Sequence, residues 1–321
     1  MKKPHLDNKL KGILFGQAIG DALGLGCEFL NKNEIQKHYP LGFSDYVQII
    51  QDDHRKRWGI GCWTDDTDQF LCVLDSFSEN RGVISLNDIA QRLYDWFIAG
   101  GMGVGKLTYN VFKMPEYTKY PEKCAALAWN MTRKKSAPNG ALMRNGAVSL
   151  IYNTDLKEAL IFSESLSKLT HADQRCIDSC KIHTTLLFSL LNEENLSLEE
   201  IFIRSEIEDE RTVEYINSFL SSDIQILDLD NENELGYTLK AVSSALWVYL
   251  FAESFEQGLL KIIHEGGDAD TNGCIAGTIL GAKFGFDSIP VKWIDGLAQS
   301  EALEKRYATY NGSSENSGDL S

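Results

Sequence analysis

Glycine recurs at every fourth position in two stretches near opposite ends of the chain: Gly12, Gly16, Gly20 and Gly24, then Gly273, Gly277, Gly281 and Gly285. Residues four apart share one face of an α-helix, so each stretch would carry a smooth ridge without side chains. A glycine inside a helix costs about 0.5–1 kcal/mol relative to alanine. Repeated four times, that cost needs an offset, and close approach of another backbone supplies one. Tight core packing alone would satisfy the pattern. The stronger reading is that both helices form the centre of the fold and hold whatever lies at their ends.

The rest of the sequence is also helical in its periodicity. Ser85–Asp88 has the form of an N-terminal cap, and Leu86, Ile89, Ala90, Leu93, Trp96 and Phe97 follow at helical spacing. Asp155 with Glu158, Ser197 with Glu200, and Ser254 with Gln257 repeat the cap signal, and Pro290 suits the first turn of a last helix. Only Tyr46–Ile50 and Ile224–Leu229 resemble strands, and both are short. The expected class is all-α, in a single compact multi-helix domain over residues 1–310. The Gly/Ser/Asn-rich stretch 311–321 is expected to be a disordered tail.

With 43% hydrophobic residues, a 321-residue chain can build a large core without disulfides. Its net charge of −15 disfavours general binding to nucleic acid. No apolar run reaches the roughly 18 residues of a membrane span. The basic N-terminus lacks the apolar stretch of a signal peptide. The seven cysteines form no CxxC pair and fit buried thiols, so the expected compartment is the cytoplasm. Cys176, Cys180 and His183 share helical spacing but lack the fourth ligand of a structural zinc site.

Two acidic clusters stand out: Thr64-Asp65-Asp66-Thr67-Asp68, and Gly267-Asp268-Ala269-Asp270-Thr271, which leads into the second glycine run. Each stands where a helix begins. Helix N-capping explains one or two such residues. It explains less well several carboxylates crowded together, which repel unless a cation or proton intervenes. Four carboxylates and two hydroxyls would suit hard cations such as Mg2+, and if the clusters meet they could bridge two ions about 3.5–4 Å apart.

Thr64-Asp65-Asp66-Thr67 and Gly267-Asp268-Ala269-Asp270-Thr271 resemble the two metal signatures of the ADP-ribosylglycohydrolase family. Gly20-Asp21-Ala22-Leu23-Gly24 with Glu28, Asn139-Gly140-Ala141-Leu142-Met143-Arg144, and Thr170-His171-Ala172-Asp173 are similar to its other motifs, in the family's order. The resemblance implies an all-α hydrolase with a binuclear metal cleft that removes ADP-ribose from a modified protein or small molecule. Two Mg2+ ions, or Mn2+, would be held by Thr64, Asp65, Asp66, Asp268, Asp270 and Thr271. Glu28, Asp65 and Asp270 would be catalytic. Ser136, Asn139, Gly140, Met143, Arg144, His171 and Tyr237 would bind or support the substrate. The family also contains lens crystallins, so a non-catalytic ADP-ribose binder is the alternative.

Departures from the family pattern are the loop Gly103-Val104-Gly105, where one branch has Asp-Ile-Gly, together with Pro138 before Asn139 and Gln174 after Asp173. Gly100–Lys106 also matches the start of a phosphate loop, but Leu107 replaces the required Ser/Thr and a helical segment precedes it.

Overall fold

A computed structural model describes residues 4–317 of the chain. These form sixteen α-helices. They are α1 (Pro4–Gly24), α2 (Lys32–His38), α3 (Asp65–Glu79), α4 (Leu86–Ile98), α5 (Lys106–Phe112), α6 (Pro121–Met131), α7 (Ala147–Ile151) and α8 (Leu156–Lys168). The second half contributes α9 (Gln174–Leu191), α10 (Leu198–Arg204), α11 (Glu210–Phe219), α12 (Thr238–Phe251), α13 (Phe255–His264), α14 (Ala269–Phe284), α15 (Val291–Gly296) and α16 (Ser300–Ser317). There is no sheet among the described residues, only a single antiparallel bridge between Pro138 and Tyr237. None of the described helices is long and apolar enough to cross a membrane.

The centre is the antiparallel pair α1 and α14. A Cβ built on Gly12, Gly16 or Gly20 would lie 2.4, 2.1 or 2.1 Å from the carbonyl oxygen of Gly281, Gly277 or Gly273. The reverse holds too: a Cβ on Gly277 would stand 2.0 Å from the Gly16 oxygen. The two backbones therefore touch directly, which is what the four-residue glycine spacing predicts. The ridge is shorter than the sequence pattern at one end. Gly24 faces Ala269, whereas Gly285 leaves the contact and ends α14 at a φ of +83°. From Leu10 to Gly24 α1 is buried on every side except at Lys11, as expected of a helix at the middle of a large core.

Around this pair the expected caps form. Ser85, Asp155, Ser197 and Ser254 each accept a hydrogen bond from the backbone three residues on. Lysines cap helix ends at the other pole: Lys9 reaches Leu190 O at 2.7 Å, and Lys283 donates to three carbonyls that close α12.

Three expectations change. Both strand candidates are 3-10 turns, Tyr46–Gln48 and Ile224–Leu227, each started by an aspartate (Asp45, Asp223) that accepts from the backbone two residues on. Pro290 precedes α15, a six-residue helix, and is not followed by the last one. The stretch expected to be a disordered tail from 311 is helical as far as Ser317, so a boundary at 310 falls inside α16; residues 318–321 lie outside the described residues. Asn311 donates to Asp7 at 3.0 Å and Ser313 to Ser78 O at 2.8 Å, which ties this helix to α1 and α3.

Candidate active site

Because α1 and α14 run antiparallel, the C-terminal end of α1 meets the N-terminal end of α14. Asp21 of α1 then links to the start of α3. Its carboxylate accepts from Thr64 N and Thr67 N, both at 2.9 Å, and from the Thr67 hydroxyl at 2.7 Å. Asp21 thus does for α3 what an N-cap side chain does, from 43 positions away. The cap residues themselves are not used in this way: neither Thr64 nor Asp268 makes a side-chain capping bond. Capping therefore does not account for the acidic clusters.

The clusters come together. Carboxylate oxygens of Asp21, Asp66 and Asp270 lie within 4.8 Å of one another, and so do those of Glu28, Asp268 and Asp270. No lysine or arginine forms an ion pair with Asp65, Asp66, Asp268 or Asp270 among the described residues. Burial, with Asp21 and Glu28 beside it, drives Asp65 well above the usual carboxylate range. Burial with Asp21 and Asp65 does the same to Asp66, and burial with Glu28 and Asp66 to Asp270. Burial lifts Asp21 to about 7 against the pull of the Thr67 and Thr64 hydrogen bonds, and Asp268 to about 6 against that of Asn139. Such a nest holds either protons or cations. The buried Thr64 hydroxyl oxygen has no hydrogen-bond partner, and the Thr271 hydroxyl lies beside Asp66 and Asp268. The donor set is all oxygen, which fits hard divalent ions.

Two hollows open on this nest. The main cleft, about 260 Å³, is walled by Asn139, Gly140, Met143 and His171 on one side and by Lys106 and Thr108 on the other. A second mouth of about 240 Å³ shares Glu28, Phe29, Asp65, Gly103 and Asp270 with it, and passes Thr64 toward His54 and Trp58. Ser136 and Tyr237 line a separate hollow beyond Pro138. Arg144 lines neither the main cleft nor the second mouth. It is fully buried and donates to Gln69 Oε1 at 2.9 Å, to Gly140 O at 3.0 Å and to the Thr170 hydroxyl, so it supports the cleft wall from behind. The phosphate-loop-like stretch follows helix α4 and contributes Gly103, Gly105 and Lys106 to the cleft. Cys176, Cys180 and His183 hold no joint site: His183 bonds Thr278 and Cys176 bonds Pro138 O.

Sequence reasoning assigned no role to Asp21, His54, Lys106 or Thr108. Asp21 carried a usable signal, as the one charged residue in the apolar run from Ala18 to Leu25. The other three lie in or next to irregular segments, where no periodicity marks the inward face.

Arg144 also fixes the chemistry of His171. Thr170 Oγ1 accepts from Arg144 and stands 2.7 Å from His171 Nδ1. The Thr170 hydroxyl hydrogen then has His171 Nδ1 as its acceptor, which leaves the ring proton on Nε2. His171 Nε2 is buried, has no partner in the protein and borders the cleft. Burial and the Arg144 charge push the imidazole down to about 3, so the ring is neutral. It is a donor waiting for an oxygen. Nitrogen-15 spectra are expected to show a protonated Nε2 and a bare Nδ1 from about pH 5 to 8, a range in which free histidine would titrate. Thr170→Val strands both the Arg144 and His171 nitrogens and is expected to cost about 1–3 kcal/mol in chemical denaturation. A proton found on Nδ1 would overturn the assignment.

Comparisons with known proteins bear on the fold and the family. The sequence profile described as ADP-ribosylglycohydrolase matches residues 2–316. The chain is 27% identical to the ADP-ribosylarginine hydrolase Tri1 of Serratia proteamaculans, over 92% of this chain and 77% of that protein. It is 24% identical to the ADP-ribosyl-[dinitrogen reductase] glycohydrolase of Rhodospirillum rubrum, over 95% and 96%. A solved structure titled ADP-ribosylglycohydrolase-related protein complex has the same fold, with a TM-score of 0.73 at 24% identity over 97% of this chain and 100% of that one. With a profile match across nearly its whole length, and with relatives that are glycohydrolases throughout that length, the chain belongs to the ADP-ribosylglycohydrolase family.

Proposed function

We propose that the protein hydrolyses the bond between C1 of the distal ribose of ADP-ribose and a modified side chain, in a reaction that needs two divalent ions, Mg2+ or Mn2+. The observation that carries this reading is the buried nest of uncapped carboxylates, which no protein cation neutralises. Asp21, Asp66 and Asp270 would hold one ion, and Glu28, Asp268 and Asp270 the other, with Thr64, Asp65 and Thr271 adding oxygens. When bound, such ions orient ribose hydroxyls and lower the pKa of a coordinated water. Asn139 holds Asp268 by a 2.7 Å hydrogen bond, and His171 offers its Nε2–H to a substrate oxygen. Glu28 stands between the two hollows, 2.5 Å from His54 Nε2. There it can take a proton from the attacking water and return it to the leaving atom. The names of the Serratia and Pseudomonas putida Tri1 relatives favour arginine as the modified residue. The test is release of ADP-ribose from an ADP-ribosylated protein with and without Mg2+. Binding of ADP-ribose with no release under either condition would favour the non-catalytic alternative.

The ions also make a prediction in stability. The unfolded carboxylates titrate near 4, while burial raises folded Asp268 to about 6 and Asp21 to about 7, and holds Asp65, Asp66 and Asp270 well above the usual range. Above about pH 4 the folded protein therefore binds more protons than the unfolded one, and these groups make the metal-free protein less stable as pH rises. Mg2+ replaces the protons. Its gain in Tm is expected to be slight at about pH 5 and to reach about 5 °C or more near pH 8, read by differential scanning fluorimetry at saturating ion. An equal gain at both pH values would contradict the binding of ions in this nest.

A further inference from the structure

The second mouth differs in chemistry from the main cleft. Its floor is acidic, with Glu28 and Asp270, and its wall is aromatic. Phe29, His54 and Trp58 form a continuous tier, with ring centroids 5.1 Å apart between Phe29 and His54 and 5.5 Å between His54 and Trp58. Phe29 is 55% exposed, which is unusual for so large an apolar ring beside a buried acidic nest. Its backbone is held at a φ of +59°, a region that disfavours a bulky residue. Two bonds hold it there: Phe29 N donates to Gly267 O at 2.6 Å, and Gly267 N donates to Leu30 O at 2.9 Å. The stretch of chain after Glu28 is thereby clamped to the loop before α14, with Phe29 left at the border of the mouth and the main cleft.

The only cation on this wall is Arg57, and it is engaged. Its guanidinium lies 4.5 Å from the centre of the Trp58 ring and donates to His54 O at 2.9 Å. The mouth thus already holds one guanidinium, partly used. It shows what it accepts, since the protein's own guanidinium is already stacked on the tier. The Glu28 carboxylate below and the π-faces beside it suit a planar cation.

We propose that the second mouth is the acceptor subsite: ADP-ribose fills the main cleft, and the guanidinium of the modified arginine lies in the second mouth against Phe29, with the scissile bond beside Glu28. This assignment rests on the hydrolase reading above and adds where the target side chain sits and which residues select it. A serine acceptor has no planar cation and gains nothing from the tier. Phe29→Ala is expected to raise KM for an ADP-ribosylarginine peptide about tenfold, the effect of losing one desolvated cation–π contact. Phe29→Tyr keeps the ring and is expected to restore it. Trp58→Ala removes a ring of the tier that lines the second mouth and not the main cleft; it is also expected to raise KM, while its affinity for free ADP-ribose, measured by calorimetry on the full-length variant with Mg2+, is expected to stay within about twofold, which also reports that the fold is intact.

A loss of ADP-ribose affinity equal to the rise in KM would mean that the tier holds the nucleotide, and would overturn the subsite. So would wild-type kinetics in Phe29→Ala, or equal kcat/KM of the wild-type protein on serine-linked and arginine-linked substrates. These results leave the hydrolase reading standing. Absence of ADP-ribose release from any linkage by the wild-type protein removes that reading and the subsite with it.

Discussion

Gly277→Ala is expected to destabilise the protein by about 3 kcal/mol or more in urea denaturation, at the upper end of overpacking effects. The new Cβ would lie 2.0 Å from the Gly16 carbonyl oxygen and 2.7 Å from its carbon. Both obstacles are backbone atoms in a buried helix, so no rotamer change can clear them. The helices must separate, and the close contact that offsets the seven glycines of the ridge is lost along it. Helix propensity pulls the other way by about 1 kcal/mol, and loses. Gly312→Ala, in α16, isolates that opposing term. Nothing lies within 4 Å of its Cβ position, so the same substitution is expected to stabilise by about 0.5–1 kcal/mol. A change of less than about 0.5 kcal/mol for Gly277→Ala, the size of an ordinary surface effect, would show that the two helices are not packed backbone to backbone.

That ridge is also the part of the fold most legible in the sequence. A four-residue glycine period can mean little other than two helices in contact, and the pairing Gly12–Gly281, Gly16–Gly277, Gly20–Gly273 follows once the helices are antiparallel. The acidic clusters were legible as helix starts with too many carboxylates for capping alone. Their meeting was not, because the link is Asp21, whose bonds to Thr64 and Thr67 cross more than 40 positions and leave no periodic trace. His54 was hidden for a different reason. It lies in the irregular stretch between α2 and α3, where neither a period of 3.6 nor one of 2 marks an inward face. The composition of 311–317 suggested disorder because Gly, Ser and Asn are poor helix formers, but a tertiary anchor such as Ser313 on Ser78 O overrides a weak local preference. For Arg144 the resemblance offered a supporting place beside the cleft, while the residue type alone left a phosphate or a carboxylate as its partner. Here its two terminal nitrogens donate to Gln69, Gly140 and Thr170, and none of the three is an anion.

Asp270→Asn is expected to reduce turnover about 10³-fold while making the metal-free protein more stable. Asp270 is the member common to both carboxylate trios, so it is the one side chain whose loss weakens both candidate ion positions. Asparagine keeps the volume and one carbonyl oxygen but removes the charge. The two consequences have opposite signs because one cause drives both. In the absence of ions, Asp270 is a buried acid pressed by Glu28 and Asp66, and its carboxyl is held well above the usual range. A raised folded pKa lowers stability as pH climbs past the unfolded value near 4, and that loss disappears when the group cannot ionise. Near pH 8 the metal-free variant should therefore melt above the metal-free wild type, and the wild type should regain the lead at saturating Mg2+. Circular dichroism would confirm that the helices are kept. Undiminished turnover would remove Asp270 from the ion site, and a metal-free variant melting below wild type at that pH would mean that Asp270 is stabilised by its neighbours and not crowded by them.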